Sequence, residues 1–566
     1  MEFLFDCVAQ LKNFQKLNSY AKLKGAVAVT ALNSGFKSNI IGTLCHYNDA
    51  RAFCVAGDEK EAQVFCNDLC MMGYKACVYP QRDFNFREVS GISMEYEHQR
   101  LKVLTKLLTG KCDIVVGTID ALLQYTIPPE VLKKATLHLK QGQQISTEQC
   151  VEALNLLGYE RTDMVEGTGQ FALRGGILDL FVPDSENPVR VEFWGDEIDS
   201  INHFDILTQR RFDKVDSILL SPSNEILVEN KAELSEKIVK KANLLRSEKT
   251  EKAKETLYRE AENIANGVNL TILDKYISLV YKKPATVLDY VDEEDFIFIS
   301  EHTNISDRVK SMEFQYKEDM KEYFEDGILC RGLDKFSMDY KEFLEIVNTR
   351  HTIFMDNFTS GHFDLPLSDI VSFNVKQVAP WNGLLTVLCE DLNEFFKERT
   401  TVAILAGTEK SGRNLTDELK EKGFKAQFVT DLKKAEQGNI YVMEGALSTG
   451  FELLQTDFHL ITYGQSVQKP KRKVQRKKQG QEIYSLSELN NGDYVVHSTH
   501  GIGIFSGIHN LEVQGIKKDY IKITYAKGDV LYVPVTQLDL VAKYIGPRDN
   551  EHVKLSKLGG SEWQKA

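Results

Sequence analysis

The sequence predicts a multidomain α/β protein. One parallel α/β domain is split by a strand-rich insertion and followed by a small α/β domain and a small all-strand barrel. Three observations carry this. Residues 1–126 alternate helical periodicity with short apolar strands at Ala26–Val29, Ala52–Ala56, Ala76–Tyr79 and Asp113–Val116, the layout of a parallel sheet. Residues 127–228 turn strand-rich, and strand–helix alternation resumes only in 229–383, at Asp295–Ser300 and Thr352–Met355. Residues 484–548 are almost all strands punctuated by glycine, short enough to form a barrel.

At 566 residues the chain exceeds one core, so about three to five domains are expected. No apolar run reaches the ~18–20 residues that span a bilayer, and the N-terminus lacks a basic region, so no membrane is expected and a cytoplasmic location is. The ten cysteines are scattered without paired CxxC units, which argues for free thiols and against a zinc site. A net charge of −13 opposes nonspecific binding to nucleic acid.

Within the insertion, Ile177–Val182 reads as a strand, Pro183–Pro188 as a turn and Val189–Trp194 as the returning strand, broken by Gly195-Asp196. Alternation puts Val189, Val191 and Phe193 on one face and Arg190, Glu192 and Trp194 on the other. An outward guanidinium beside a large aromatic suits an interface anchor. The plainer reading is an Arg stem lying across a half-buried Trp. Lys231 to Asn266 reads as a long helical stretch with apolar positions at Leu234, Ile238 and Leu244. Residues 384–465 form a compact βαβ-like unit, with strands Thr401–Leu405, Lys425–Val429 and Asn439–Val442 and a helix over 412–422; a scaffold or spacer is all they suggest. In the linker 466–483, seven of the ten residues from Lys469 to Lys478 are basic. A solvated linker is the default, and phosphate-backbone contact through Lys471, Arg472, Lys473, Arg476 and Lys477 is the sharper alternative.

The stretch from Arg174-Gly through Arg190, Phe193-Trp194 and Gly-Asp-Glu-Ile-Asp resembles the module shared by the excision-repair protein UvrB and the Mfd family of transcription-repair coupling factors. The resemblance covers roughly residues 15–380. It implies a UvrB-like α/β domain in segments 1–126 and 229–383, with 127–228 as an inserted UvrA-binding domain. It also implies that Arg174, Arg190 and Trp194 contact UvrA, Trp194 standing where the family carries Phe.

A working relative of UvrB needs Gly-x-x-x-x-Gly-Lys-Ser/Thr, so that backbone N–H groups wrap phosphates while Lys and hydroxyl reach phosphate and Mg²⁺. The corresponding Val29–Ser38 has Thr30 in place of the first Gly, and Phe36 separates Gly35 from Lys37. Where the metal-linked Asp is expected, the chain reads Ser300-Glu301-His302. Adjacent strand residues point apart, so Glu301 and His302 make no acid/base pair. The expectation is a degenerate P-loop domain with no catalytic residue, no metal and no cofactor; ATP and Mg²⁺ belong to the motor of the full-length family. Loss of this site is a trait of the coupling-factor branch.

Asn491–Phe505, with its His-Gly-Ile-Gly turn, Tyr520–Tyr525 and Leu531–Val535 resemble the RNA-polymerase-interacting domain shared with CarD-type regulators, implying an SH3/Tudor-like β-barrel at 484–548. In that family an edge strand extends a sheet of the RNA polymerase β subunit. The matching edge is Ile508–Val513, with Leu511 as the apolar knob and His509 and Tyr532 beside it; otherwise Leu511 caps the barrel core. Residues 549–566 begin a further helix, with Ser561 and Gln564 as a capping box, which leads us to expect a truncated chain whose DNA contact lay mainly in an absent translocase. The expected function is an adaptor between stalled RNA polymerase and UvrA. An active UvrB-like helicase and a CarD-like transcription regulator are the alternatives.

Overall fold

The computed structural model describes residues 2–82, 84, 86, 94–206, 208–267, 273–358, 362–395, 400–430, 432, 436–464, 480–482, 489–498, 500–513, 516–544 and 555–556. The basic run 471–477 and the capping box at 561–564 lie outside them.

The first body is a seven-stranded parallel sheet in the order Leu367–Ser372, Gly25–Thr30, His351–Met355, Phe296–Ser300, Ala52–Ala56, Ile114–Thr118, Ala76–Val78. Its central strands are buried along their whole length, as a sheet covered on both faces requires. Period-two alternation divides them: Val27, Val29 and Cys54 join a core under helices Glu2–Ala9, Lys12–Ala21, Ser34–Asn48 and Glu59–Met71. Ala28, Phe53 and Val55 join another with helices Glu95–Leu108 and His302–Glu325.

The insertion enters and leaves side by side, because Leu137–Lys140 pairs antiparallel with Ser217–Leu220. Between them lies a six-stranded sheet in the order Arg211–Lys214, Glu197–Phe204, Val189–Trp194, Ile177–Leu180, Gln170–Arg174, Glu160–Arg161. One face packs Phe171, Leu178, Leu180, Val189 and Val191 against helix Thr147–Leu156, which starts at a capping box between Ser146 and Gln149. Below the neck, buried Arg100 binds Glu225 and Gln124.

Two expectations are corrected. The stretch 231–266 is a pair of packed helices, Lys231–Asn243 and Glu251–Ala265, joined by a connection in which Leu244 is exposed and Leu245 packs on their shared core. Val375–Val378, assigned by the sequence to the first α/β domain, pairs with Gly450–Leu453 in a different sheet.

That sheet runs Val375–Val378, Gly450–Leu453, Phe458–Thr462, Thr401–Leu405, Ile440–Met443, Ala426–Phe428. Val402, Ile404 and Val442 face its own helices, whereas Ala403, Leu405, Tyr441 and Met443 join the core that contains Phe36, Ile40 and Leu44. A spacer would not share a core; this unit is packed onto the first body. The last sheet is antiparallel, in the order Gly480–Glu482, Val541–Tyr544, Tyr494–His497, Gly501–Val513, Ile516–Thr524, Val530–Pro534. Its first strand lies in what the sequence reads as linker. Ile521, Ile523 and Tyr525 point into its core, as alternation predicts. Gly503 is required there, since a Cβ would lie 2.4 Å from Ile523 Cγ2.

Candidate functional site

Two surfaces and one cleft hold the residues singled out above. In the cleft, Asn33 caps helix Ser34–Asn48, its Oδ1 accepting the Phe36 N–H at 2.9 Å. Lys37, one turn further, is only 1% exposed. Its ammonium donates to Ser300 Oγ at 2.9 Å and to Glu301, and lies 3.5 Å from Glu61 Oε1. Two carboxylates therefore compensate this buried charge internally, as burial demands. Glu301 reaches Lys37 from a left-handed backbone, φ 52°, a conformation tolerated where surroundings over-determine it. His302 turns elsewhere: its Nδ1 meets Asp356 Oδ2 at 2.7 Å and its ring stacks on Phe363. Glu301 and His302 thus serve separate partners.

On the outward face of the insertion, Arg190 and Asp179 are cross-strand neighbours. The Arg190 Nε and Nη2 donate to the two Asp179 oxygens at 2.7 and 2.8 Å, Nη1 donates to the Gln209 carbonyl at 3.2 Å, and the guanidinium lies over the Phe204 ring at 4.8 Å. Arg174 Nη2 donates to the same Asp179 at 2.6 Å. Asp179 is fully buried, Arg190 keeps 15% of its side chain exposed and Arg174 keeps 50%. The hydrogen bond to Asp179, opposed by burial and helped by the charges of Asp179 and Glu192, holds Arg190 above the ordinary arginine range. Trp194 is 85% exposed, the most exposed large apolar side chain among the described residues. The reading of a half-buried Trp under an Arg stem does not hold: Arg190 lies four residues back along the strand, ~13 Å at ~3.3 Å per residue, and its fork is engaged within the fold.

All three predicted residues share one face, but in different roles. Arg174 and Trp194 are presented, whereas Arg190 is held. Sequence reasoning missed Asp179, which a carboxylate in the apolar strand Ile177–Leu180, aligned with an Arg, could have signalled.

In the last sheet, Tyr494–His497 pairs only with Gly501–Ile504 of the long strand Gly501–Val513. Beyond it, Ile508–Val513 pairs with Ile516–Ile521 on one side, with no strand on the other among the described residues. Ile508 is 41% exposed, and His509 meets Tyr532 edge-on at 6.2 Å. Leu511 lies on this ribbon opposite Lys518.

Comparison with known proteins follows this division. The UvrB interaction domain matches residues 137–226, and the CarD-like/TRCF RID domain matches 489–545. The chain is 33% identical over 550 residues to the transcription-repair-coupling factor of Bacillus subtilis, covering 95% of this chain and 46% of that protein. With the factor of the same name from Staphylococcus epidermidis it is 28% identical, covering 99% and 48%, and with that of Staphylococcus aureus 27%, covering 100% and 49%. The chain spans about half the length of the curated relatives it matches. Carrying both modules in this order, the chain aligns over nearly its whole length with transcription-repair-coupling factors and is similar to them.

Proposed function

We propose that this chain is an adaptor that joins RNA polymerase to UvrA in transcription-coupled repair. The observation that carries this is the presented pair on the insertion: Trp194 at 85% exposure and Arg174 at 50%, on a sheet face braced by buried Asp179. An exposed aromatic and a guanidinium on rigid strands form an anchor that loses little freedom on docking. Arg174 and Trp194 contact UvrA directly, and Arg190 keeps the face in shape. The ribbon Ile508–Val513 offers unsatisfied backbone groups to a sheet of the polymerase β subunit, with Leu511, His509 and Tyr532 providing side-chain contact. The sheet of 480–544 closes as an SH3/Tudor-like barrel behind it.

The α/β body descends from a nucleotide-binding domain and hydrolyses nothing, since Lys37 is neutralised by Glu61 and Glu301. ATP, Mg²⁺ and most DNA contact belong to a motor outside this chain. No helix among the described residues is long and apolar enough to cross a membrane, consistent with work in the cytoplasm. Titration of UvrA against the wild type and Trp194→Ala tests the reading, with a marked loss of affinity in the variant expected. Equal affinities would remove UvrA from this face, and MgATP hydrolysis by the chain would favour a UvrB-like helicase.

A further inference from the structure

The α/β unit spanning 375–462 carries no assigned role, yet it meets the first body at the degenerate phosphate cleft. Four contacts define the meeting. The Gly35 backbone at the first turn of helix Ser34–Asn48 faces Thr449 so closely that a Cβ on Gly35 would lie 1.9 Å from Thr449 Oγ1 and 3.2 Å from the Thr449 carbonyl oxygen. The carboxylate of Asp68, on helix Glu59–Met71, accepts the Ser448 N–H at 2.8 Å and the Ser448 hydroxyl at 2.6 Å. It also takes the Ser38 hydroxyl at 3.2 Å, joining the phosphate-loop helix to the same point. Phe36, the residue that interrupts the motif, packs edge-on against Phe451 with ring centroids 5.1 Å apart. Residues 35, 36 and 38 therefore all touch the segment 448–451 or the acid that holds it.

A phosphate-binding helix start must leave its first N–H groups open to an anion. Here the Phe36 N–H is capped by Asn33 and the Gly35 turn lies against Thr449. We propose that Leu447–Gly450 is the intramolecular occupant of the ancestral phosphate cleft, and that the role of the 375–462 unit is to hold it there, locking both α/β units into one body. Interruption by Phe36 is then part of the new interface as well as a lost motif. The proposal rests on the reading of Val29–Ser38 as a former phosphate loop, and extends it by naming what took the ligand's place.

Gly35→Ala in the intact chain gives a test whose sign is diagnostic. Alanine is the better helix former, so at a free helix start this change stabilises. With Thr449 seated it must push the segment away, and overpacking of this kind should raise hydrogen exchange in Leu447–Leu453 and in the first turns of Ser34–Asn48 roughly tenfold. Thr449→Gly removes the clashing hydroxyl and Cβ, so in that background Gly35→Ala should slow exchange in the helix instead. Amides of Val189–Phe204 serve as an internal control and should stay unchanged in all variants. If Gly35→Ala slows exchange in both backgrounds, or alters it equally, the segment is not the occupant. A separate arm titrates MgATP into the wild type: saturable binding to an intact cleft would overturn the dead-site reading, whereas absent binding with no Gly35/Thr449 coupling sinks only the occupant.

Discussion

Asp179→Asn perturbs the insertion at its electrostatic centre while keeping side-chain shape. The fully buried carboxylate receives three guanidinium hydrogen bonds, two from Arg190 and one from Arg174. Asparagine keeps one acceptor oxygen and turns an N–H donor toward donors, leaving two cations close together. Removing one partner of a buried pair costs about 3–5 kcal/mol. Arg190, largely withdrawn from water, should incur most of that, whereas half-exposed Arg174 adds less than ~1 kcal/mol. Taking ~3 kcal/mol as the local loss, protection of the Gln170–Leu180 and Val189–Phe204 amides should fall by ~100-fold in hydrogen exchange. Amides of Gly25–Thr30 in the other body should be unaffected. UvrA affinity should fall in step, although Asp179 itself is covered. Protection within about threefold of wild type would refute the claim that this acid organises the face.

Trp194→Ala should leave the exchange pattern of the insertion unchanged, because the indole buries little of itself, yet weaken UvrA binding by roughly 2 kcal/mol or more in a calorimetric titration, as anchors do. Leu511→Arg should abolish capture by the polymerase β subunit while circular dichroism of the sheet is retained; retained capture by a folded variant would dismiss the edge assignment. Asp68 is pushed up to about 6 from 3.8 by burial, which outweighs the Ser448 and Ser38 hydrogen bonds. A raised folded value favours the neutral acid, so its contribution is fully present below about pH 4 and is lost as pH rises through about 6. Exchange of the Leu447–Leu453 amides, corrected for intrinsic rate, should therefore slow from pH 7 to pH 5, and Asp68→Asn should remove that dependence.

Much of the architecture was legible because it rests on local alternation. The strand Val189–Trp194 was set by its residues alone, and its Val189/Val191 face is buried as alternation requires. The parallel sheet was readable for a related reason: fully covered strands such as Phe296–Ile299 are unbroken apolar runs. Tertiary partnership was not legible. Nothing local says that Arg190 spends its fork on Asp179 and Gln209, or that Ala403 and Leu405 face Phe36 rather than their own helices. The helix break near Ser247 and the transfer of Val375–Val378 to another sheet likewise depend on what each segment packs against. The family resemblance located the Arg174, Arg190 and Trp194 face, but its division into presented and bracing residues needed the distances.

The antiparallel pairing of Leu137–Lys140 with Ser217–Leu220 brings entry and exit of the insertion to the ~4.8 Å spacing of neighbouring strands. A module tied at such a stem asks of its host only two adjacent chain ends, the kind of junction at which domain insertion is tolerated. It keeps its own core and is indifferent to what the host scaffold does. A module of this kind can therefore persist through changes in the body beneath it.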